Sequence, residues 1–378
     1  MKKLTMSFPV VLALALSAAA QSDAVRSIYI NSATIPTNVD WIHMYPAPPE
    51  GFNALTAADE ELAAYGVPPR PDKVQDPAGY RRWTRTATVM SNPRSRWYGE
   101  IKLGKSHSGP AMAALSPKES SEPMFGASSA QGKGWSGVTN TLPLTKWSST
   151  KSFKSVKGEF SVPVPQQAFS GGGNTICDGD IDQAAFWVGL GGLSVKGVIT
   201  NTNVAQAGVD IYAACGVFDG SGGYAWTEWY PNPMAQFFNV NPGDDIAVNV
   251  TALSPTSVSV FVIDFTQQQT VSGLMAPPSG VSLIGNEAEY IVERPGGDST
   301  PSGLYPLANY IWSFWDFARA ETFNGAYYYP GTTAPSTIVI SMTNDSGSEK
   351  ISIPSIDAGL QNLFVQNGGC SYSGGCTP

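Results

Sequence analysis

From residue 135 onward, apolar and polar positions alternate in short runs broken by Gly, Pro, Asn and Asp, at 155–164, 184–190, 245–253, 257–265, 288–292 and 337–343. A period of two sends successive side chains to opposite faces, so each run predicts a β-strand. No long helical periodicity competes with them. Many short strands at regular spacing, without a repeat of fixed period, predict an all-β antiparallel sandwich or barrel over residues 131–378.

Residues 21–130 are patterned differently. Pro-rich turns at 45–49 and 67–71 flank one short helical candidate at 57–65, and Ser, Ala and Gly dominate 106–134, which reads as a linker. Little in this stretch predicts a continuous core, and an irregular propeptide with linker is expected. Ahead of it, Lys2 and Lys3, an apolar stretch over 8–16 and Ala18-Ala19-Ala20 compose a secretory signal over residues 1–20. No later apolar run is long enough to span a bilayer. The expectation is a secreted, extracellular monomer that leaves the membrane once the signal is removed.

Three strand-like runs, at 204–212, 224–230 and 287–293, carry unusually polar faces. Alternation puts Gln206, Gly208, Asp210 and Tyr212 on one side, Glu287, Glu289, Ile291 and Glu293 on one side of another, and Glu228 with Tyr224, Trp226 and Tyr230 on a third. An acid among aromatic rings is a candidate for a shifted pKa.

Charge narrows the partners. Residues 21–130 hold 11 Lys and Arg against 11 Asp and Glu, whereas residues 131–378 hold 9 against 19, so the acidic surplus lies in the C-terminal part. Such a surface repels phosphates and argues against nucleic acid. With few basic groups, little positive charge remains in acid to drive self-repulsion, and acid tolerance follows. Cys177, Cys215, Cys370 and Cys376 are an even set in an exported chain, read as disulfides, Cys177 with Cys215 and Cys370 with Cys376, although three connectivities are open.

The chain has two histidines, His43 and His107, and none beyond. Ser-His-Asp, Cys-His and His-ligated metal chemistry therefore lack an imidazole in the C-terminal part, and the cysteine spacing does not suggest zinc. Neither histidine is expected at the site, because that would require the N-terminal part to stay attached and fold over it. No metal or organic cofactor is implied. What remains is a carboxylate acting on water, with a side-chain amide to orient it and hold an oxyanion.

Here the residues resemble a known family. Phe186-Trp187-Val188-Gly189, Val204-Ala205-Gln206-Ala207-Gly208-Val209-Asp210, Ala225-Trp226-Thr227-Glu228-Trp229-Tyr230-Pro231, Gly243-Asp244 and Glu287-Ala288-Glu289-Tyr290-Ile291-Val292-Glu293 resemble, in order, the glutamic peptidases, or eqolisins. The resemblance implies a concanavalin-like sandwich of two large antiparallel sheets, a signal peptide and propeptide, and acid endopeptidase activity on polypeptide substrates. It puts the catalytic glutamine on Gln206 and the catalytic glutamate on Glu293, with Trp187 and Glu228 shaping the cleft; beside them, Trp226, Tyr230 and Asp210 are read as substrate-binding residues, Asp210 with the alternative of a structural role holding a turn or the dyad's partners. This chain departs from the family at Gly191 and Asn232, where acidic residues are usual, a change expected to alter pH profile or substrate preference.

Two rival readings share these residues. Glu228 and Glu293 suit a sandwich glycosidase with paired carboxylates, and the aromatic rings suit a non-catalytic carbohydrate-binding sandwich. The basic cluster Arg81, Arg82, Arg85, Arg94, Arg96, Lys102 and Lys105 suggests that the N-terminal part covers the acidic domain at neutral pH and lets go in acid.

Overall fold

The alternating runs form strands close to the predicted positions: Phe153–Ser161, Ile181–Gly191, Asp245–Ser254, Ser257–Asp264, Glu287–Glu293 and Ser336–Thr343. They are seen in a computed structural model that describes residues 27–107, 116–118, 128–167, 181–192, 194–195, 199–200, 203–214, 222–296, 303–332, 336–357 and 362–368. The expected signal at 1–20 and the four cysteines, Cys177, Cys215, Cys370 and Cys376, lie outside the described residues.

Two layers of antiparallel strands make up most of the fold, with Ser128–Gly132 adding a parallel partner to Ser336–Thr343. In the first, Ser336–Thr343, Trp135–Thr141, Glu287–Glu293, Ile181–Gly191, Val204–Ala214, Gly222–Trp229 and Ala235–Val240 follow one another in space. In the second the order is Gln269–Met275, Ser257–Asp264, Asp245–Ser254, Phe153–Ser161, Trp312–Thr322, Leu363–Asn367 and Lys350–Ile356. Lys350–Ile356 also pairs with Ser336–Thr343 and so joins the layers along one side.

The period of two sorts the side chains. Phe186, Val188, Ala205, Ala207, Val209, Tyr290 and Val292 point inward from the first layer and meet Val156, Phe160, Val248, Val250, Val260 and Val262 of the second in one buried cluster. Burying a large aliphatic or aromatic side chain contributes about 1.5–3 kcal/mol, so this cluster dominates the fold's stability. The opposite residues of the same strands, including Trp187, Gln206 and Glu293, consequently face the outer side of the first layer.

The N-terminal region is more ordered than its composition predicts. The short helix forms at Asp59–Ala64, and a longer one runs over Pro77–Ser91, started by Pro77 and by Asp76, whose carboxylate accepts from Gly79 N at 2.8 Å. Trp83, Ala87 and Met90, spaced by four and three, form its buried stripe and pack with Phe261, Ile263 and Phe265 on the outer face of the second layer. Arg82 pairs with Glu159 and Asp316, and Arg85 pairs with Asp245. The basic cluster is divided in its roles: Arg96 is buried and donates to the Tyr65 carbonyl rather than meeting an acid. Beyond it, Lys102–Leu103 pairs with Ala235–Gln236 at the edge of the first layer, carrying the chain round to the candidate site.

Candidate active site

Register alone assembles the site. Thr139, Glu289, Gly189, Gln206 and Glu228 stand opposite one another across the first layer, then Gly137, Ile291, Trp187, Gly208 and Trp226, then Trp135, Glu293, Ala185, Asp210 and Tyr224. These rows are two residues apart and therefore share one face. Gln206 and Glu293 flank the strand Ile181–Gly191 on its two sides, with Trp187 and Gly208 between them.

Gly208 makes that floor possible. A Cβ there would lie 2.2 Å from the Phe186 carbonyl oxygen and 2.6 Å from the Trp187 Cβ, so only glycine lets the tryptophan sit against the neighbouring strand. Trp187 is fully buried, with the Trp135 ring edge-on at 5.1 Å, and its indole N–H donates to Glu293 Oε2 at 2.8 Å. A donor to a carboxylate favours its ionised form and fixes where it points.

Gln206 is anchored on the other side, through a bond of 3.0 Å from its Nε2 to Glu228 Oε2. Because a carboxylate only accepts, this bond decides which end of the amide is nitrogen. One N–H is committed, while the second N–H and Oε1 remain for other partners, and Oε1 is buried without a hydrogen-bond partner. Asp210 accepts from the Tyr224 hydroxyl at 2.7 Å, and burial, ahead of the nearby Asp210 charge, pushes the Tyr224 phenol far up. Trp226 lies at the floor, and Tyr224 and Tyr230 pack against the cluster of Trp135, Trp187, Trp226 and Ile291.

Glu289 has a different state. It is fully buried, neither carboxyl oxygen has a hydrogen-bond partner, and burial, with Glu287 and Glu293 adding like charge, raises its pKa well above the usual carboxylate range. Such a group is a neutral acid at mildly acidic pH.

One histidine was expected away from this face and is found on it, because the N-terminal part folds over the first layer and brings His107 there. His107 stacks on Trp226 with ring centres 4.0 Å apart and bonds both Glu228 and Asp210. Burial lowers its pKa, but the Asp210 and Glu228 carboxylates outweigh that and hold it well above the usual histidine range. No periodicity marks residues 106 and 107, since they enter from a Ser- and Gly-rich stretch; the available signal was one of two histidines ending a basic cluster.

The two departures from the family pattern have structural settings. Gly191 has φ of 85°, a left-handed conformation that disfavours aspartate and suits glycine. Asn232 presents its carbonyl to the Ser106 hydroxyl at 3.1 Å. Among the described residues, no group of three or more His, Cys, Asp or Glu could hold a metal ion, and no helix is long and apolar enough to cross a membrane.

Residues 133–353 match the peptidase A4 family. Scytalidopepsin B of Scytalidium lignicola is 36% identical over 109 residues, 28% of this chain and 38% of that protein. Aspergillopepsin-2 of Aspergillus niger is 29% identical over 229 residues, 56% of this chain and 74% of the relative. The chain thus spans well under half of the first relative's length and about three quarters of the second's. Among solved structures, scytalido-glutamic peptidase with a peptide-based transition state analog aligns at 21% identity and a TM-score of 0.47, over 62% of this chain and 98% of that one. Aspergilloglutamic peptidase from Aspergillus niger aligns at 26% identity and a TM-score of 0.40, over 49% of this chain and 99% of the other.

Proposed function

Since the chain belongs to the peptidase A4 family, we propose that it is a secreted, acid-acting endopeptidase in which Gln206 and Glu293 drive direct attack of water on a peptide bond. Glu293 removes a proton from water as the oxygen bonds to the carbonyl carbon, and Gln206 donates its uncommitted N–H to the oxyanion that forms. The C–N bond then breaks, the proton passes from Glu293 to the departing amine, and the carbonyl re-forms as a carboxylic acid. No acyl-enzyme intervenes and no cofactor is required.

The observation that carries the reading is the paired anchoring: the indole of Trp187 on Glu293, and Glu228 on the amide of Gln206, on one face. Preorganised groups of this kind need no reorientation as charge develops, which is where an enzyme lowers a barrier most. An unperturbed glutamate titrates near pH ~4.3, so a base of this type works in acid. Trp226, Tyr230 and Asp210 line the cleft for polypeptide. The extracellular location, a propeptide within 21–130 and a monomeric state belong to the same reading.

The paired-carboxylate glycosidase reading has less support: Glu228 is committed to Gln206, and the family match concerns peptidases. Acid incubation with a denatured protein and, separately, with polysaccharides tests the difference. Wild type is expected to cut protein and leave polysaccharide whole, and Glu293→Gln to cut neither. Depolymerised polysaccharide, or protein cutting undiminished in Glu293→Gln, overturns the proposal.

A further inference from the structure

The outer face of the second layer, away from Gln206 and Glu293, carries charges that the proposed reaction does not use. Register places Phe261, Asn249, Lys157 and Arg319 side by side on four adjacent strands, and two residues along it places Ala247, Glu159 and Phe317. Residues 68–72 and the helix Pro77–Ser91 pass over them, and a cavity of about 270 Å³ lies between helix and strands. Ala247 and Ser155 are too short to fill it, while Trp83, Phe261 and Phe317 supply buried aromatic wall.

The charges that line this cavity are satisfied, with one exception. Arg82 pairs with Glu159, Lys154 with Glu321 at 3.2 Å and Arg319 with Asp76 at 2.7 Å. Arg70 donates to the Ala54 and Ala57 carbonyls, and neighbouring Asp72 accepts from the Val74 and Gln75 N–H groups. Among the described residues, none forms a hydrogen bond or an ion pair with the Lys157 ammonium. Burial, with Arg319 adding like charge, lowers its pKa to about 8, so it is still charged in neutral and acidic solution. A part-buried cation without a counter-charge costs free energy that an anion in the cavity recovers. On the next strand the Asn249 amide donates to the Thr251 hydroxyl at 2.9 Å, which leaves its second N–H beside Lys157.

We propose that this cavity is a binding site for a small organic monocarboxylate, its carboxylate on the Lys157 ammonium and the Asn249 amide and its apolar body against Phe261 and Phe317. One unmatched cation calls for one negative charge. The second charge of a phosphate would face the Glu159, Glu321 and Asp76 carboxylates, which repel it. The volume is at the small end for ligand pockets and suits a body of about one aromatic ring. The site lies on the layer opposite Gln206 and Glu293 and does not depend on the peptidase reading.

Isothermal titration calorimetry on the full chain carrying Glu293→Gln, which keeps it uncut, tests this with benzoate, acetate and inorganic phosphate. Near pH ~6.5, in a buffer free of carboxylate and phosphate, both Lys157 and the carboxylates are charged. Benzoate is expected to bind one to one, at least about tenfold more tightly than acetate or phosphate, because only benzoate buries an apolar body. Adding Lys157→Met, which keeps the stem and removes the charge, is expected to weaken benzoate at least about tenfold, as for a lost charged hydrogen bond.

Thermal melting without ligand guards against a folding defect. Lys157→Met is expected to melt at or above the temperature of its parent, since an unmatched charge has been removed. A lower melting temperature would mean that the ammonium already has its counter-charge, and it overturns the proposal. Benzoate bound equally well by Lys157→Met, phosphate bound as tightly as benzoate, or no binding to the parent chain overturns it as well.

Discussion

Trp187 and Glu293 are diagonal neighbours on adjacent strands, joined by an indole N–H to carboxylate bond of 2.8 Å. The tryptophan comes from a strand whose inward residues, Phe186 and Val188, belong to the core, so the core's packing sets the position of the carboxylate. Removing the donor while keeping an aromatic ring isolates that connection. Trp187→Phe is expected to lower kcat by about tenfold or more and stability by about 1.5–3 kcal/mol, the range for a hydrogen bond to a charged group. Steady-state kinetics and chemical denaturation measure the two.

Gly208 is the second support. In Gly208→Ala the new methyl meets the Phe186 carbonyl and the Trp187 Cβ, backbone and near-backbone atoms that cannot swing aside. A loss of about 1–3 kcal/mol is expected, the usual cost of overpacking, with a fall in activity because Trp187 must shift. A thermal melt equal to wild type would show that the sheet opens there without cost.

Much of this was legible in the sequence. Alternation located the strands that carry Gln206, Glu228 and Glu293 and put each residue on the correct face, because a one-residue slip would send Phe186, Val188 and Val209 out of the core. The helix Pro77–Ser91 was obscured: its arginines read as a basic cluster, while the stripe Trp83, Ala87 and Met90 has meaning only against Phe261 and Phe265 on a distant strand. His107 was illegible for the same reason. Its partners, Asp210 and Glu228, lie more than 100 residues away and nothing local in 106–134 points to them.

Glu289 makes stability depend on pH. Its folded pKa is raised above the unfolded value, so its contribution is complete below about pH 4.3 and is lost as pH rises through the folded value. Glu289→Gln, which keeps the shape and removes the charge, should match wild type in acid and exceed it by about 1 kcal/mol or more near neutrality. Denaturant midpoints at pH 3.5 and 7 check this, and an unchanged difference between the two would contradict it.

His107 obeys the same linkage with a cationic group. Among the described residues, Asp210 and Glu228 meet its ring and the Tyr224 phenol bonds Asp210. With its folded pKa raised, the ring's contribution is full below about pH 6.5 and fades as pH climbs through the folded value. In the uncut Glu293→Gln background, the melting temperature of wild-type His107 over His107→Ala should therefore be highest in mild acid to neutral solution and shrink at alkaline pH. A gap that widens with rising pH would contradict the imidazolium.

Gln206 and Glu293, if they act on one water as proposed, are coupled in kcat/KM, and a double-mutant cycle on an acid-denatured protein reads that coupling. Groups that work as a unit are strongly non-additive. Glu293→Gln is expected to lose about a thousandfold or more and Gln206→Ala about a hundredfold or more, on the scale of a removed oxyanion donor, with the double variant no slower than Glu293→Gln alone. Losses that multiply as for independent residues, or a single variant that keeps the wild-type rate, would contradict the account.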